Sequence, residues 1–300
     1  MQDYQLSYLQ ELEAESLFIL REVASTFKNP VLLYSVGKDS SVLLHLCKKA
    51  FYPDPIPFPL LHVDTGYKFQ EMYEFRDRLQ REGFNIQVFH SPSALNSKAS
   101  PDQLGTEKCC GILKTQALLA ALKSGEYDAA IGGARRDEEK SRAKERVYSF
   151  RDVYGQWDPK NQKPELWQHY NGHLLKGESI RAFPLSNWTE LDVWTYIEQE
   201  GIPVVPLYFA QKRKVLRKGS LLIPEEGLLQ EEQKAQTEEV LCRYRTLGCS
   251  PCTGAIASNA QTVKEIIDEL FLEQKSERST RVIDHDRQGS MEIKKREGYF

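Results

Sequence analysis

The chain has 300 residues, of which 40% are hydrophobic and 28% charged, and this balance excludes a chain that is disordered throughout. The 40 lysine and arginine residues nearly match the 43 aspartate and glutamate residues, so the net charge of −3 does not favour a nucleic-acid partner, and any anion site must be built locally. No apolar run approaches the roughly 18 residues of a membrane span, and the first residues lack a signal peptide, so we expect a cytoplasmic protein without membrane contacts.

Hydrophobic spacing predicts helices and strands that alternate along the chain. The predicted helices cover residues 4–27, a segment starting at Ser40, 70–81, 112–121, a segment capped by Ser186 or Thr189, and 263–272, and the predicted strands cover residues 31–34, 59–63, 85–89, 129–131 and 181–185. Strands that alternate with helices are typical of a mostly parallel sheet. We therefore predict an α/β fold with a mostly parallel sheet and helices on both of its faces.

Several stretches lack this spacing. Residues 91–108 are predicted to be a polar connection, and residues 135–180, dense in charge and then in Trp, Pro, Asn and Gln, a long functional loop. Residues 209–240 are polar and predict an irregular insertion or lid, and the carboxyl-terminal residues predict an irregular, extended arm. We therefore divide the chain into an α/β domain, residues 1–208, and a second region, residues 209–300, that contains the lid and the arm.

The segment Tyr34–Ser41 joins the first predicted strand to the next helix, where unpaired backbone N–H groups and the helix dipole favour an anion. Gly37 lets a phosphate come close to the backbone, and Ser35, Ser40 and Ser41 add hydroxyl donors. No glycine stands five residues before Gly37, so the segment is not the Walker loop of P-loop kinases and GTPases. An ordinary strand-to-helix turn with a Ser or Asp cap is the alternative.

The same segment resembles the pyrophosphate loop S-G-G-x-D-S of the adenine-nucleotide α hydrolase superfamily, with Val36 in place of the first glycine. Members of that superfamily attack the α-phosphorus of ATP and hold the departing pyrophosphate on this loop. The resemblance therefore implies an ATP site and makes Lys38 and Asp39 candidate catalytic residues. Asp64 ends the next strand, where open α/β sheets bind ligands; it is a candidate for holding Mg²⁺ or the adenosine, or an ordinary turn residue.

A glycine pair and a charged run follow the fourth predicted strand. Gly132 and Gly133 allow close backbone approach, which makes them candidates for nucleotide binding. The planar guanidinium groups of Arg135, Arg136 and Arg142 suit bidentate contact with an oxyanion. The alternative is a solvated helix face with ion pairs between residues four apart, which the spacing of Glu138 and Arg142 also fits, and we assign Lys144 to it.

Longer segments are similar, in order along the chain, to one family, the small catalytic subunit of bacterial heterodimeric ATP sulfurylase. The matching segments are residues 58–66, 132–146, 157–161, 183–190, 245–248 and 294–300. The resemblance implies that ATP and sulfate give adenosine 5′-phosphosulfate and pyrophosphate, the first step of sulfate assimilation. It implies Arg135, Arg136 and Arg142 as catalytic cations, which with Mg²⁺ spread the developing charge.

The family resemblance also implies a partner. The phosphosulfate anhydride is unstable relative to pyrophosphate, and the family drives its formation with a larger GTPase subunit. Because this chain has no Walker loop, the GTPase must be a separate subunit. The basic arm, residues 278–300, is the candidate docking segment, and a disordered tail is the alternative.

Six cysteines in 300 residues are too few for a secreted disulfide scaffold. Cys109-Cys110 and the C-x-x-C pair Cys249 and Cys252 can supply four thiolates to a [4Fe–4S] cluster, whereas Zn²⁺ sites more often use two C-x-x-C pairs. The arrangement is similar to that of assimilatory adenylylsulfate reductases, and ATP sulfurylase small subunits usually lack these four residues. Buried cysteines that serve only for packing are the alternative.

Two other functions stay open. A reductase needs a nucleophilic cysteine on a mobile segment near the carboxyl terminus, but no cysteine follows Cys252, and Cys47 and Cys242 lie in apolar patterns that assign them to packing. A catalytically silent regulatory subunit would not need the loop or the Arg135-Arg136 pair. The adenylyltransferase is therefore the preferred hypothesis.

Overall fold

The computed structural model describes residues 6–90, 99–139, 142–167, 169–218, 221–225, 229 and 231–272. The helices are α1 Tyr8–Thr26, α2 Lys38–Phe51, α3 Gln70–Arg81, α4 Pro101–Cys110, α5 Ala117–Ser124, α6 Glu190–Glu200, α7 Glu231–Lys234 and α8 Val263–Leu272, and a π-helical segment, Gly111–Gln116, joins α4 to α5. The strands are β1 Pro30–Leu33, β2 Leu60–Asp64, β3 Ile86–His90, β4 Ala129–Ile131, β5 Tyr148–Arg151, β6 Ser179–Ala182, β7 Gln211–Lys218, β8 Leu221–Pro224, β9 Glu238–Arg243 and β10 Ile256–Ala257.

Six strands form the main sheet in the order β3-β2-β1-β4-β6-β5. All neighbours run parallel except β5, which is antiparallel to β6 at the edge. The central strand β1 is aligned with β2 through Leu32 and Leu60, and with β4 through Val31 and Ala130. Because the chain builds from β1 towards β3 and then returns to the other side of β1, the strand order reverses between β1 and β4. Such a reversal leaves a crevice at the carboxyl ends of the strands.

Helices cover both faces of this sheet, so the predicted α/β fold is confirmed. Helices α1, α2, α3 and α6 share one hydrophobic core, in which Leu20, Leu46 and Trp194 are fully buried. Helix α5 covers the opposite face with Leu118 and Leu122. Burial of a large apolar side chain contributes about 1.5–3 kcal/mol, so these two layers hold the strand ends in place.

The helix predicted after residue 186 is α6, and Thr189 is its N-cap. The Thr189 hydroxyl accepts the N–H of Asp192 at 3.1 Å, and the Asp192 carboxylate accepts the N–H of Thr189 at 2.8 Å. This reciprocal capping box satisfies two N–H groups that a helix start leaves unpaired. Gly201, in the left-handed conformation with φ 60°, ends the helix.

A second sheet lies where the sequence predicts an irregular insertion, and the expectation of irregular structure is wrong. Strands β7 to β10 form an antiparallel sheet in the order β10-β9-β7-β8. Strand β7 has the sequence QKRKVLRK, which is mostly basic and lacks the alternation of apolar and polar residues that is typical of a strand. Opposite charges pair across the strands instead: Arg217 lies 2.7 Å from Glu238, and Lys212 lies 3.3 Å from Glu239. The division of the chain at residue 208 stays a prediction.

Two further stretches contain regular structure that the sequence pattern did not indicate. Helix α4 begins at Pro101, inside the predicted connection 91–108, because the Ser100 side chain caps it and proline suits the first helical turn. Strand β5 lies inside the predicted loop 135–180 and pairs with β6. Among the residues described here, no helix has the length and apolar character needed to cross a membrane. The predicted docking arm, residues 278–300, lies outside the described residues.

Candidate active site

A cleft of about 230 Å³ opens at the carboxyl ends of β1, β2 and β4, where the strand order reverses. Its apolar lining includes Leu33, Leu61, Val63, Leu118 and Leu247, and its polar lining includes Ser35, Lys38, Asp39, Ser40, Thr65, Lys68, Lys114, Glu138, Arg142, Tyr208 and Thr246. Four cationic side chains against two carboxylates give this lining a positive balance. Together with the start of α2, this charge balance is favourable for an anion.

The loop between β1 and α2 lines one end of the cleft. Helix α2 begins after Gly37, which has no side chain to accept the first N–H groups of the helix. The Ser40 hydroxyl donates to the Gly37 carbonyl at 2.9 Å, and the Ser35 hydroxyl donates to Ser40 at 3.3 Å. Val36 has a left-handed backbone with φ 66°, which is unfavourable for a β-branched residue, and its side chain is fully buried. Core packing of Val36 therefore fixes the conformation of the loop.

A tyrosine from a distant part of the chain caps α2. The N–H of Lys38, the first residue of the helix, donates to the Tyr208 hydroxyl at 2.8 Å. The Tyr208 ring is buried and meets the Trp194 ring edge-on, with ring centroids 5.3 Å apart. Tyr208 thus supplies the acceptor that Gly37 lacks.

Asp39 and Arg135 connect this loop to the end of β4. The buried Arg135 donates to the Asp39 carboxylate and, through Nε, to Asp137 at 3.1 Å. Lys38 Nζ lies 3.4 Å from the other oxygen of Asp39. A Cβ atom at Gly133 would lie 2.9 Å from the Asp39 Cβ, so the two loops approach this closely only because residue 133 is glycine.

Arg142 reaches the cleft from the charged run. Its Nε lies 3.2 Å from the Glu138 carboxylate, and a terminal guanidinium nitrogen lies 3.9 Å from Glu145. Glu145 is in turn 2.9 Å from Arg151. The side chain of Arg142 is only 8% exposed, so its pair with Glu138 belongs to a buried network. Arg142 is therefore not part of a solvated helix face, the alternative that the sequence left open.

Arg136 and Asp64, two of the predicted site residues, are held by contacts away from the cleft lining. Arg136 donates to the side chain of Asn187 near the surface. Asp64, at the end of β2, accepts the N–H of Gly66 at 2.8 Å and the hydroxyl of Tyr73 at 3.0 Å. Burial by itself would raise the pKa of Asp64, but these hydrogen bonds hold the pKa below its ordinary value. The Asp64 carboxylate therefore fixes the turn that follows β2.

The two cysteine pairs, far apart in the chain, meet beside the cleft. Cys109 and Cys110 end α4, Cys249 and Cys252 lie before β10, and all four side chains are buried. A hydrogen bond joins the thiols of Cys110 and Cys252. The Cys249 sulfur lies 3.2 Å from the hydroxyl of Thr65, which lines the cleft. Cys249 therefore lies directly behind a residue of the cleft lining.

The surroundings of these thiols differ in charge. Burial would raise the pKa of Cys249, but the ammonium groups of Lys114 and Lys68 hold the pKa below its ordinary value. Burial raises the pKa of Cys109 to about 11. A hydrogen bond with the neighbouring thiol, and then burial, raise the pKa of Cys252. Cys249 is thus the thiol of these three with the greatest thiolate character.

Within the described ranges, no group of three or more His, Cys, Asp or Glu side chains is close enough to hold a metal ion. A [4Fe–4S] cluster binds each of its four thiolates on a different iron, so it needs a wider spacing than a single ion does. Four buried cysteines with two ammonium groups nearby fit such a cluster in donor type and in charge. The other two cysteines, Cys47 and Cys242, pack in the main core, in agreement with the sequence.

The structure brings most of the predicted residues to one place. Those that line the cleft are Ser35, Gly37, Lys38, Asp39, Ser40, Gly133 and Arg142, whereas Ser41, Gly132 and Arg135 are outside its lining, in or beside the same loops. Sequence reasoning missed Lys68, Lys114 and Tyr208 as parts of the cleft. A single lysine or tyrosine belongs to no sequence motif. Only Lys68 could have been predicted to lie near the cleft, because it follows the end of β2 by four residues.

Comparison with known proteins gives one consistent result. A family model described as the phosphoadenosine phosphosulfate reductase domain matches residues 29–255. The chain is 58% identical to sulfate adenylyltransferase subunit 2 of Zymomonas mobilis over the full length of both chains, and 59% identical to that of Shewanella pealeana over 99% of each. A crystal structure of Candida glabrata FMN adenylyltransferase in complex with ATP is similar with a TM-score of 0.50 at 16% identity, over 94% of this chain and 91% of that chain. That last similarity concerns the fold alone.

Proposed function

Since the chain belongs to the sulfate adenylyltransferase subunit 2 family and is a nucleotidyltransferase, we propose that its cleft transfers the adenylyl group of ATP to sulfate and releases pyrophosphate. The observation that carries this proposal is the start of α2 and four cationic side chains around one cleft. Both substrates are anions, and reaction at the α-phosphorus places further negative charge on oxygens that N–H groups and cations stabilise.

The two kinds of lining suggest how ATP binds. Leu33, Leu61 and Leu118 belong to one apolar cluster and suit the adenine ring. The triphosphate then extends to the start of α2, where backbone N–H groups and the hydroxyls of Ser35 and Ser40 can donate to the β- and γ-phosphates. In this orientation the α-phosphorus lies between the apolar wall and the loop.

Sulfate needs cations that face the α-phosphorus from the side opposite the leaving pyrophosphate. Lys68, Lys114 and Arg142 line the cleft outside the loop, and we assign sulfate to them. Arg142 is held by Glu138 and Glu145 and brings a guanidinium charge to the cleft. A sulfate oxygen then attacks in line, and the bond from the α-phosphorus to the pyrophosphate oxygen breaks. Arg136, predicted to share this role, is not part of the cleft lining.

Lys38, Asp39 and Arg135 act on the leaving side in this proposal. Lys38 neutralises charge on the pyrophosphate, while the Asp39 carboxylate, held by Arg135, fixes the start of α2 against β4. Mg²⁺ would enter with ATP and neutralise phosphate charge, and Asp39 and Glu138 are the carboxylates of the cleft lining that can hold it. Asp64 does not line the cleft, and its oxygens accept three hydrogen bonds, from Gly66, Tyr73 and Arg76, so it suits this role less well.

The relatives are named as subunit 2, so the active enzyme has more than one kind of subunit. We propose that the partner is a GTPase, because forming a phosphosulfate anhydride with release of pyrophosphate is uphill and needs a second source of free energy. Deletion of residues 281–300 is expected to abolish co-purification with that subunit. Undiminished binding by the truncated chain would refute the docking role of the arm.

We also propose that Cys109, Cys110, Cys249 and Cys252 hold a [4Fe–4S] cluster. Their burial and the nearby ammonium groups of Lys68 and Lys114 support a dianionic group at this position. When bound, the cluster would supply a redox-active wall next to Thr65, and no step of the adenylyl transfer requires it.

Anaerobic purification followed by iron and sulfide analysis tests the cluster. We expect iron and acid-labile sulfide in equal amounts in the wild-type protein and their loss in Cys252→Ser. Cys47→Ala, which alters a cysteine of the main core, is the matched control and should retain both. Zinc without sulfide, or no metal under anaerobic conditions, would exclude the cluster.

The proposed reaction is tested by sulfate-dependent pyrophosphate release from ATP, using the complex with its partner subunit and GTP. Release that requires sulfate is the expected result. The same preparation is assayed for sulfite release from adenosine 5′-phosphosulfate in the presence of a thiol reductant, which a reductase would catalyse. Sulfite release without pyrophosphate release would show that the protein is a reductase and would refute the proposed transferase activity.

A further inference from the structure

The turn after β2, residues 64–68, carries two side chains of the cleft lining, Thr65 and Lys68. The chain bends at Gly66, which has a left-handed backbone with φ 75°. The N–H of Lys68 donates to the hydroxyl of Tyr73 on α3 at 3.3 Å. We call this segment the Lys68 turn, and its backbone conformation decides where the Lys68 side chain enters the cleft.

Two contacts join the Lys68 turn to the cysteine segment, residues 249–252. The N–H of Ser250 donates to the Tyr67 carbonyl at 2.7 Å. The Cys249 sulfur lies 3.2 Å from the Thr65 hydroxyl, which also accepts the N–H of Tyr67 at 3.4 Å. These contacts fall on both sides of the bend, so the cysteine segment clamps the Lys68 turn from behind the cleft.

We infer that the cysteine segment positions Lys68 for sulfate, an inference that rests on the proposed function. A lysine ammonium group is a compact charge on a flexible stem, so the place of its backbone limits which oxyanion it can reach. Lys68 directly follows the clamped carbonyl of Tyr67, and a shift of that carbonyl moves the backbone of Lys68. Ser250 is outside the cleft lining, so it acts through Lys68 and is a positioning residue.

The test removes the Ser250 N–H and keeps the local backbone. Ser250 begins a 3₁₀ turn, and Cys249 before it is extended with φ −75° and ψ 141°, so proline fits position 250. Ser250→Pro loses the donor to Tyr67, whereas the matched control Ser250→Ala keeps it. Both variants are assayed for pyrophosphate release in the complex with the partner subunit and GTP.

In Ser250→Pro we expect the KM for sulfate to rise by about threefold or more, because at least one hydrogen bond is lost. The KM for ATP should stay the same, since ATP is assigned to the apolar wall and to the start of α2. Ser250→Ala should match the wild type in both constants.

A double-variant cycle shows whether the effect passes through Lys68. Lys68→Ala alone should raise the KM for sulfate, and adding Ser250→Pro should raise it no further, because both changes act on one contact. Thr65→Val removes the other contact with the cysteine segment and gives the same comparison if Ser250→Pro does not fold.

Several outcomes contradict the inference. One is an equal KM for sulfate in Ser250→Pro and Ser250→Ala, and another is an effect of Ser250→Pro that multiplies with that of Lys68→Ala. Equal losses for sulfate and ATP, with a lower melting temperature, would mean that the bond only supports the fold. A rise confined to preparations that have lost iron would assign the effect to the cluster. Absence of sulfate-dependent pyrophosphate release from the wild-type complex would instead refute the proposed function.

Discussion

The two walls of the cleft, the loop wall and the cysteine wall, are built on different principles. The loop wall consists of strand ends and the start of α2, and its charges are matched in place, as in the contacts of Asp39 with Lys38 and Arg135. The cysteine wall joins two distant segments through Thr65 and four thiols that can ionise, oxidise or bind metal. The loop wall is therefore fixed by paired charges, whereas the cysteine wall can change its chemical state beside the same cleft.

The largest expected effect comes from breaking the loop wall at Arg135. Arg135→Ala leaves the carboxylates of Asp39 and Asp137 without their buried cation. We expect pyrophosphate release to be abolished and the free energy of unfolding to fall by about 3–5 kcal/mol. Urea unfolding and the pyrophosphate assay measure the two effects.

The matched control is Arg78→Ala, which removes an exposed pair with Glu82 at 3.6 Å. Exposed pairs contribute about 0–1 kcal/mol, so this variant should unfold like the wild type. Full activity in Arg135→Ala, or equal losses of stability in both variants, would contradict the role of the buried pair.

A second test uses pH. Burial, followed by repulsion from Lys68, lowers the pKa of His62 to about 4, although its ring bonds the Tyr34 carbonyl at the end of β1 at 2.9 Å. The unfolded chain takes up this proton below about pH 6.5 and the folded protein does not, so stability falls as the pH drops from about 6.5 to 4. The expected loss is about 3 kcal/mol.

Urea unfolding at several pH values checks this prediction. His62→Gln should flatten the pH dependence in this window, and His173→Gln, which changes an exposed histidine, should not. A pH dependence that is the same in wild type and His62→Gln would assign the acid sensitivity to other groups.

The smallest of the three effects compares a glycine from each wall. In Gly133→Ala the new Cβ lies 2.9 Å from the Asp39 Cβ, so α2 or β4 must shift. Overpacking of this kind costs about 1–3 kcal/mol, and we expect a clear loss of pyrophosphate release. Gly111, next to the cysteine pair, has no atom within 4 Å of a new Cβ, so Gly111→Ala should be neutral or slightly stabilising.

Thermal unfolding and pyrophosphate release are measured for both variants. Equal tolerance at both positions would show that the close approach of Gly133 to Asp39 has no functional weight.

The loop wall could be predicted because its residues are consecutive or follow strand ends. Ser35 to Ser41 lie at one junction, and Gly133 follows β4, so hydrophobic spacing was enough to place them at the same edge of the sheet. Arg136 shows the limit of this reasoning: it neighbours Arg135 in sequence but donates to Asn187 at the surface. Sequence adjacency does not decide which side of a loop a side chain takes.

The remaining parts of the site depend on contacts that no local pattern records. The hydrogen bond from Lys38 to Tyr208 spans 170 positions, and a single tyrosine has no spacing to reveal it. The second sheet was missed because charged pairs such as Arg217 with Glu238 replace the apolar alternation. The cysteine pairs were noticed by their spacing, but their place beside Thr65 is visible only in the fold.

Isotopic labelling can show whether sulfate attacks the α-phosphorus of ATP in this cleft. The complex with its partner is supplied with ATP, GTP and sulfate labelled with ¹⁸O at every oxygen, and the products are analysed by mass spectrometry. We expect all label in the products in adenosine 5′-phosphosulfate and none in pyrophosphate. Label in pyrophosphate or phosphate, or formation of ADP, would mean attack at another phosphorus and would exclude attack at the α-phosphorus.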